Sequence, residues 1–248
     1  MLREQNQLSF PPLAWDVYPK LPAAIRGPLL RARYPHVWDS IPAHCPYLFL
    51  HVPKTGGTAL ATQLHGSGIN HFPWWVWSVV DPKRFEASHK FSIIREPVDR
   101  FVSVIRHCLG APRASAAERL AGDILREHGE SITEMCHAFL TSASLRRKLR
   151  RVVHFKSQVF WINDGNQPVV DRLFALQPRT GTTDENRAHN VNAQIAAPPQ
   201  VPAETRARIY ELYADDVALY ERVRPQDRVE SVFEILPSLE GLAMERMT

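Results

Sequence analysis

Short apolar runs followed by helix-compatible segments organise the centre of the chain. Tyr47–Val52 is a compact apolar and aromatic run that predicts a buried strand, and Ser92–Ile94 predicts the end of a second strand. Thr58–Leu64, after the first run, is compatible with a helix. After the second run, the apolar residues of Val98–Ile105 recur at helical spacing. Because strands that alternate with helices are typical of α/β proteins, we predict a central, mainly parallel sheet flanked by helices.

Further along the chain the pattern becomes helical. Residues 114–151 are rich in Ala, Glu, Leu and Arg and predict two or three helices, with breaks near Gly129 and near Thr141-Ser142. A basic run, 146–151, ends this region, and we interpret it as a solvated face or as part of an acidic ligand's route. Val152–Phe155 then predicts a short strand.

The last third mixes turns, a loop and a helix. Asp164-Gly165 lies between apolar runs and predicts a hairpin-like turn. Residues 177–202, which include the His189–Asn192 segment, predict a long surface loop, and loops of this length are often functional. Ala203–Val223 predicts one amphipathic helix, and Val229–Ile235 a short helical tail.

Three regions of the chain follow from this pattern. Residues 1–46 are dense in proline, which excludes long regular elements there, while their large aromatic side chains argue against simple disorder. We therefore predict an N-terminal arm packed on the core. Residues 47–223 form the main domain, and residues 224–248 form a C-terminal helical tail.

The segment that joins the first strand to its helix has the chemistry of a phosphate loop. It reads Pro53-Lys54-Thr55-Gly56-Gly57-Thr58, and its two glycines let the backbone turn sharply close to a ligand. A strand, a glycine turn and a helix together aim backbone N–H groups at an anion. Lys54 adds a positive charge, and the threonines add hydroxyl donors. The NTPase pattern G-x-x-x-x-G-K-[ST] is absent, because the lysine here precedes the glycines.

A second anion clamp is predicted about forty residues later. Arg95 stands at the end of the second strand, Pro97 suits the first turn of the following helix, and Ser103 lies nearly two turns into that helix. An arginine fork together with a hydroxyl is well suited to a second phosphate group.

Together, the two motifs resemble those of sulfotransferases that use 3′-phosphoadenosine 5′-phosphosulfate (PAPS), and in particular a soluble, bacterial-like member of carbohydrate-type sulfotransferase family 2. In that family a P-K-T-G-G-T-like loop holds the 5′-phosphosulfate and an R-x-P-x-x-R-x-x-S element holds the 3′-phosphate. This chain carries Glu96 where the second motif usually has Asp. The resemblance covers roughly residues 47–223, is strong at the two motifs and weak between them, and implies a three-layer, P-loop-like fold.

The resemblance also implies the site and its chemistry. PAPS donates the sulfuryl group, its desulfated form PAP is the product, and no metal is required. The implied cofactor-binding residues are Pro53, Lys54, Thr55, Gly56, Gly57, Thr58, Arg95 and Ser103. Lys54 would also act in catalysis by stabilising the departing bridging oxygen.

Transfer to a hydroxyl needs a general base, and histidine suits neutral pH. We favour His71, which follows the loop's helix by a few residues, where many relatives place a catalytic histidine. His89 and the carboxylate of Glu86 are alternatives, while His51 is interpreted as a buried structural histidine. The tryptophans of Phe72–Trp77 are equally consistent with core packing and with a platform for a sugar or aromatic acceptor.

Composition and charge limit the classes of ligand and the classes of protein that fit this chain. The chain has 248 residues, a formal net charge of +4 and three cysteines. The charge suits an anionic ligand but is too weak to predict nucleic-acid binding. The cysteines match neither a disulfide framework nor a zinc spacing, which favours reduced thiols. With a polar opening at Met1–Gln7 and no run of about 20 apolar residues, we expect a soluble, cytoplasmic enzyme with no membrane span.

Two other functions stay open on sequence alone. The first is a Mg²⁺-dependent nucleotide kinase or NTPase with a variant phosphate loop, for which Asp171 is the one candidate metal ligand. The second is a nucleotide-binding module that has lost transfer. Among sulfotransferases, a carbohydrate acceptor is preferred, and a tyrosine peptide, a lipid-linked or a small-molecule hydroxyl is the alternative. The sequence does not indicate an oligomeric state.

Overall fold

The computed structural model describes residues 17–66, 70–110, 114–149, 152–177, 201–237 and 239. The predictions for the first sixteen residues, for the loop segment His189–Asn192, for residues 150–151 of the basic run and for the last residues of the tail lie outside these ranges. The helices are α1 Ala23–Arg33, α2 Gly57–His65, α3 Trp74–Val80, α4 Pro82–Ala87, α5 Pro97–Gly110, α6 Ala116–Arg126, α7 Ile132–Thr141, α8 Ala143–Leu149, α9 Val159–Ile162, α10 Ala203–Leu212 and α11 Ala214–Glu221.

A four-stranded parallel sheet lies at the centre of the fold. Its strands are β1 Tyr47–Phe49, β2 His89–Arg95, β5 Arg172–Leu176 and β6 Arg228–Val229, and they lie side by side in that order. The register pairs Phe49 with Phe91 and Arg95 with Leu176. The predicted α/β fold with a parallel sheet is therefore confirmed. Because the strands are parallel, their carboxyl ends meet at one edge, where the loops that follow β1 and β2 come together.

Several local predictions are also confirmed. The Asp164-Gly165 turn joins β3 Asn163–Asp164 to β4 Gln167–Pro168 in a small antiparallel hairpin. Gly165 occupies a positive φ of 56°, which glycine adopts without strain. The helical region breaks as expected, between α6 and α7 and again between α7 and α8.

Two element predictions are wrong, and both errors involve Tyr213. Val153–Phe155 is a 3₁₀ helix rather than a strand, and its His154 and Phe155 carbonyls accept hydrogen bonds from Arg100 and the Tyr213 hydroxyl. The same Tyr213 interrupts the expected single helix, so that α10 and α11 form instead.

The predicted C-terminal helical tail begins only after a short strand. Residues 228–229 form the edge strand β6, Val232–Glu234 form a 3₁₀ turn that Ser231 caps, and residues 235–237 and 239 are α-helical. Two ladder pairs to β5, Ala175 with Arg228 and Leu176 with Val229, fix the strand. So short a strand leaves almost no periodic signal in the sequence.

In the proline-dense arm a long element forms where none was expected. Helix α1 runs for 11 residues with Pro28 inside it. Pro22 lies before the first helical residue, where a proline costs no intrahelical hydrogen bond. Pro28 lies inside the helix, and its missing N–H removes one such bond. Tyr34, Val37 and Trp38 then join the same buried cluster as the sheet residues Phe49 and Phe91.

The core consists of two apolar clusters, and the candidate site lies where they meet. One cluster surrounds the sheet and includes Val52, at the start of the phosphate loop. The other packs the inner faces of α5, α6, α7 and α10 around Phe101 and Phe139, whose ring centroids are 5.1 Å apart. No helix within the described ranges is both long and apolar enough to cross a membrane.

Candidate functional site

The segment after β1 folds as a tight turn. Lys54 has φ 68° and Gly56 has φ 79°, and Lys54 is the only non-glycine residue with positive φ in the described ranges. A lysine in the left-handed region is strained by about 1–2 kcal/mol. The two left-handed residues turn the chain back on itself, and successive N–H groups in such a turn form a concave anion site at the start of α2.

Gly57 is required by packing rather than by its backbone angles. A Cβ atom at this position would lie 2.5 Å from Cζ of Phe49 and 2.7 Å from the His51 ring. Only glycine therefore lets the first turn of α2 pack on the end of β1. The helix closes as predicted at Gly66, which has φ 74° and whose N–H donates to the Thr62 carbonyl.

Two loop residues are held from within the protein. The Thr55 hydroxyl is buried and donates to the Val52 carbonyl at 2.9 Å, so it braces the turn instead of facing a ligand. The Pro53 carbonyl accepts from Nε of Arg100 at 3.0 Å, and Nη2 of the same arginine donates to the His154 carbonyl at 3.0 Å. Arg100 thus ties the phosphate loop both to the helix after β2 and to the Val153–Phe155 turn.

The ammonium group of Lys54 lies in a poorly solvated environment that disfavours its charge. Burial lowers the pKa of its ammonium group to about 8, the Glu118 carboxylate opposes this shift, and the guanidinium of Arg95 adds to it. A desolvated cation beside other cations is poorly solvated by the protein itself. An anionic ligand placed among these groups would supply the missing counter-charge.

At the end of β2, Arg95 faces the first turns of α5. One guanidinium nitrogen lies 3.8 Å from the Asp99 carboxylate, and both side chains are about one-quarter exposed. Asp99 and Ser103 are one turn apart on the helix and therefore neighbours on the same face. Ser103 is half-buried, whereas Val98 and Phe101 on the inner face are fully buried. The structure thus brings Arg95 and the Ser103 face of α5 together.

Glu96 follows Arg95 and accepts hydrogen bonds from two elements. One carboxylate oxygen accepts from the Asp99 amide at 2.8 Å and so caps the start of α5. The other accepts from the Tyr210 hydroxyl at 2.8 Å, which joins α10 to this corner. The Glu96 side chain thus links the start of α5 to α10.

His71 lies directly beside the loop. Its Nδ1 is 3.1 Å from the His51 carbonyl, and the His51 and His71 rings are 4.2 Å apart. Because a carbonyl only accepts, Nδ1 must carry the proton, and Nε2 of the neutral ring is then a proton acceptor. Burial lowers the His71 pKa well below its ordinary value, and the neighbouring histidines and Lys54 lower it further. His71 is therefore neutral at pH 7.

A row of imidazoles continues inward from His71 to a buried carboxylate. His154 is 5.6 Å from the His71 ring and 5.1 Å from the His107 ring. Glu118 lies 2.6 Å from Nδ1 of His154 and 3.4 Å from Nε2 of His107. Although burial alone would raise the Glu118 pKa, hydrogen bonds from His107 and His154 outweigh it and hold the pKa far below its usual range.

One spacing in this cluster is too short for two ligands of the same metal ion. Two ligands of one tetrahedral zinc ion, each about 2.0–2.1 Å from it, stand roughly 3.3 Å apart. The distance between Glu118 and Nδ1 of His154 is only 2.6 Å. We therefore interpret the cluster as a buried carboxylate in contact with two imidazoles.

Three other candidates lie at the opposite end of the sheet. His89 begins β2 and pairs with Tyr47, the first residue of β1, about 17 Å of strand away from the phosphate loop. Glu86 is exposed on α4, which precedes β2. Asp171 precedes β5 and accepts from the Lys90 amide at 2.7 Å, again at the amino end. These positions separate all three residues from the loop.

The tryptophan segment serves mainly as core. Trp75 and Trp77 are buried in the sheet cluster, and Trp77 packs edge-on against Trp38 with ring centroids 5.1 Å apart. Trp74 is half-buried and donates from Nε1 to the Asn163 carbonyl.

In the basic run, Arg146 donates to the carbonyl of Phe139 at the end of α7.

Sequence reasoning missed the supports of this site. Arg100 belongs to the arginine motif, so its spacing could have marked it. Gln158, whose side chain contacts the Arg95 main chain, had only a weak signal in the segment that follows the helical region. Glu118 and His154 gave no signal, since a lone carboxylate and a lone histidine in helical or irregular segments are common.

Comparisons with protein-family models, curated proteins and solved structures find no match to this chain.

Proposed function

We propose that the protein is a PAPS-dependent sulfotransferase with a three-layer, P-loop-like fold, and that it moves the sulfuryl group to a hydroxyl of a carbohydrate acceptor. The observation that supports the proposal is the meeting of a glycine turn and an arginine at one edge of a parallel sheet. The turn at Lys54–Gly57 lies at the end of β1, Arg95 lies at the end of its neighbour β2, and the neutral base His71 stands between the loop and the core.

The two anion sites suit the two phosphate groups of the donor. The N–H groups of the turn and the start of α2 would hold the 5′-phosphosulfate. Arg95 and the Ser103 hydroxyl would hold the 3′-phosphate, with Arg95 released from its 3.8 Å contact to Asp99. Both groups would meet a site whose lysine already lacks solvation.

In the proposed transfer, His71 accepts the proton and Lys54 stabilises the leaving group. Nε2 of His71 takes the proton of the acceptor hydroxyl, and the acceptor oxygen forms a bond to sulfur while the bond from sulfur to the bridging phosphate oxygen breaks. Lys54 neutralises the charge that grows on the departing PAP. Because bound anionic donor offsets the cationic neighbours of His71, the basicity of this histidine rises when the donor is in place.

The main alternative, a Mg²⁺-dependent kinase or NTPase, has less support. Its candidate metal ligand Asp171 lies at the amino end of β5 and is engaged with the Lys90 amide. The other alternative, an inactive nucleotide-binding module, would predict a lost base, whereas His71 is placed with Nε2 as an acceptor. Tyrosine-peptide and small-molecule acceptors remain alternatives to a carbohydrate.

The test is transfer of radiolabelled sulfate from PAPS to a panel of sulfate-free oligosaccharides, tyrosine peptides and simple phenols. We expect transfer to at least one carbohydrate, without added metal, and its loss in Lys54→Ala. Lys83→Ala is the matched control, because Lys83 is an exposed lysine on α4, at the opposite end of the sheet. Full activity of Lys54→Ala would sink the proposal, and transfer to phenols alone would replace the acceptor class.

A further inference from the structure

The main chain of Arg95 needs a partner that the sheet does not provide. The carbonyl of Phe91 accepts from the Leu50 amide, so Phe91 points its backbone groups toward β1. Backbone groups in a parallel strand alternate sides, and Arg95, four residues on, therefore also points its N–H and C=O toward β1. At that level β1 has already ended and the chain has turned into the phosphate loop.

Gln158 fills this gap with its side-chain amide. Oε1 of Gln158 accepts from the Arg95 amide at 2.9 Å, and Nε2 donates to the Arg95 carbonyl at 2.8 Å. The side chain thus takes the place of the missing strand neighbour. It is fully buried, so water does not compete for these hydrogen bonds.

Gln158 is itself held from α11. The Asp216 carboxylate accepts hydrogen bonds from the backbone N–H groups of Gln158, at 2.8 Å, and of Val159, at 3.0 Å. It thereby caps the short helix α9. Asp216 is almost completely buried. Hydrogen bonds thus connect Asp216 to Gln158 and Gln158 to Arg95. They fix the backbone of Arg95, from which its proposed anion-binding guanidinium projects.

We propose that Gln158 is the positioning residue for Arg95 and thereby sets the preference of this site for nucleotides with a 3′-phosphate. The amide is required because it offers one donor and one acceptor in a single plane, which neither a carboxylate nor a thioether does. The preference for a 3′-phosphate rests on the proposed function, whereas the positioning of Arg95 does not.

The test combines amide hydrogen exchange with nucleotide binding in Gln158→Met. In the wild-type protein we expect the Arg95 amide to be protected and PAP to bind at least 100-fold more tightly than AMP, which lacks the 3′-phosphate. In Gln158→Met we expect fast exchange at the Arg95 amide and a PAP-to-AMP affinity ratio at least tenfold smaller, with AMP affinity within twofold of wild type. Gln63→Met, at an exposed glutamine on α2, is the matched control.

Gln158→Glu provides a second variant of nearly the same shape. A protonated carboxyl again has one donor and one acceptor, so its PAP-to-AMP ratio should recover as the pH falls and should be low at pH 8. Circular dichroism and thermal melting establish that each variant is folded.

Unchanged protection of Arg95 in both variants would overturn the inference, as would an equal loss of affinity for PAP and AMP. A wild-type protein that does not distinguish PAP from AMP would overturn the proposed 3′-phosphate site instead. The exchange at Arg95 would still decide whether Gln158 positions it.

Discussion

Replacing Lys54 with methionine should make the ligand-free protein more stable while it abolishes anion binding. Burial lowers the Lys54 pKa from 10.5 to about 8, and each pKa unit corresponds to about 1.4 kcal/mol. The charged lysine thus lowers the free energy of unfolding by at most about 3.5 kcal/mol. Because the side chain is half-buried and partly solvated, we expect a gain of roughly 1–2 kcal/mol in Lys54→Met, or about 2–8 °C in Tm.

The pH dependence of this gain has a definite sign. Below pH 8 both the folded and the unfolded lysine are protonated, so the full penalty is present. Between pH 8 and about 10.5 the folded protein loses the proton first, and the penalty fades as pH rises. The difference between Lys54→Met and wild type should therefore be largest at pH 7 and small at pH 10.

Urea unfolding at pH 7, 8.5 and 10 measures this difference directly. Lys148→Met, at an exposed lysine of α8, serves as the control and should change little at any pH. A less stable Lys54→Met at pH 7, or a gain that does not depend on pH, would refute the account of Lys54 as a desolvated cation prepared for an anion.

Three further predictions concern the loop, the base and the buried carboxylate. Gly57→Ala should lower the free energy of unfolding by roughly 1–3 kcal/mol, because its methyl group meets the Phe49 and His51 rings, and Gly110→Ala, with open space around it, should be near neutral in the same urea titration. His71→Gln should abolish transfer in the sulfate assay yet keep the melting shift with PAP, and the acid limb of wild-type activity should lie below pH 6.5, since its pKa is lowered; loss of PAP binding would instead make His71 a structural residue. Glu118→Gln should lower the free energy of unfolding by roughly 2–3 kcal/mol at pH 7. The deficit should shrink as the pH falls below about 4.5, because a depressed carboxyl pKa stabilises the fold only above the unfolded value; a constant deficit across pH would contradict the ionised state of Glu118.

The elements with a strong local signal could be predicted from the sequence. The apolar run of Tyr47–Val52, the glycines of the loop and the helix after Pro97 each carry their own chemistry, and the fold places them as that chemistry requires. Helix breaks at Gly129 and Thr141 were predictable for the same reason, because they depend on neighbouring residues alone.

What escaped prediction depends on partners that are distant in sequence. Val153–Phe155 has the composition of a strand, yet side chains of Arg100 and Tyr213 satisfy its carbonyls and no strand lies beside it. Strand β6 exists only because β5 offers it an edge. The low pKa of Lys54 likewise arises from burial, which the Glu118 carboxylate opposes, and both effects depend on residues far along the chain that no local pattern reveals.

The most direct test of the central claim is a thermal shift of the wild-type protein with PAP, compared with ATP and GTP in the presence and absence of Mg²⁺. A ligand at about 100 times its Kd stabilises a fold by roughly 2.7 kcal/mol, which is a shift of several degrees for a chain of this size. The account predicts such a shift with PAP, independent of Mg²⁺ and lost in Arg95→Ala. A shift with ATP or GTP only when Mg²⁺ is present, or no shift with PAP, would contradict it.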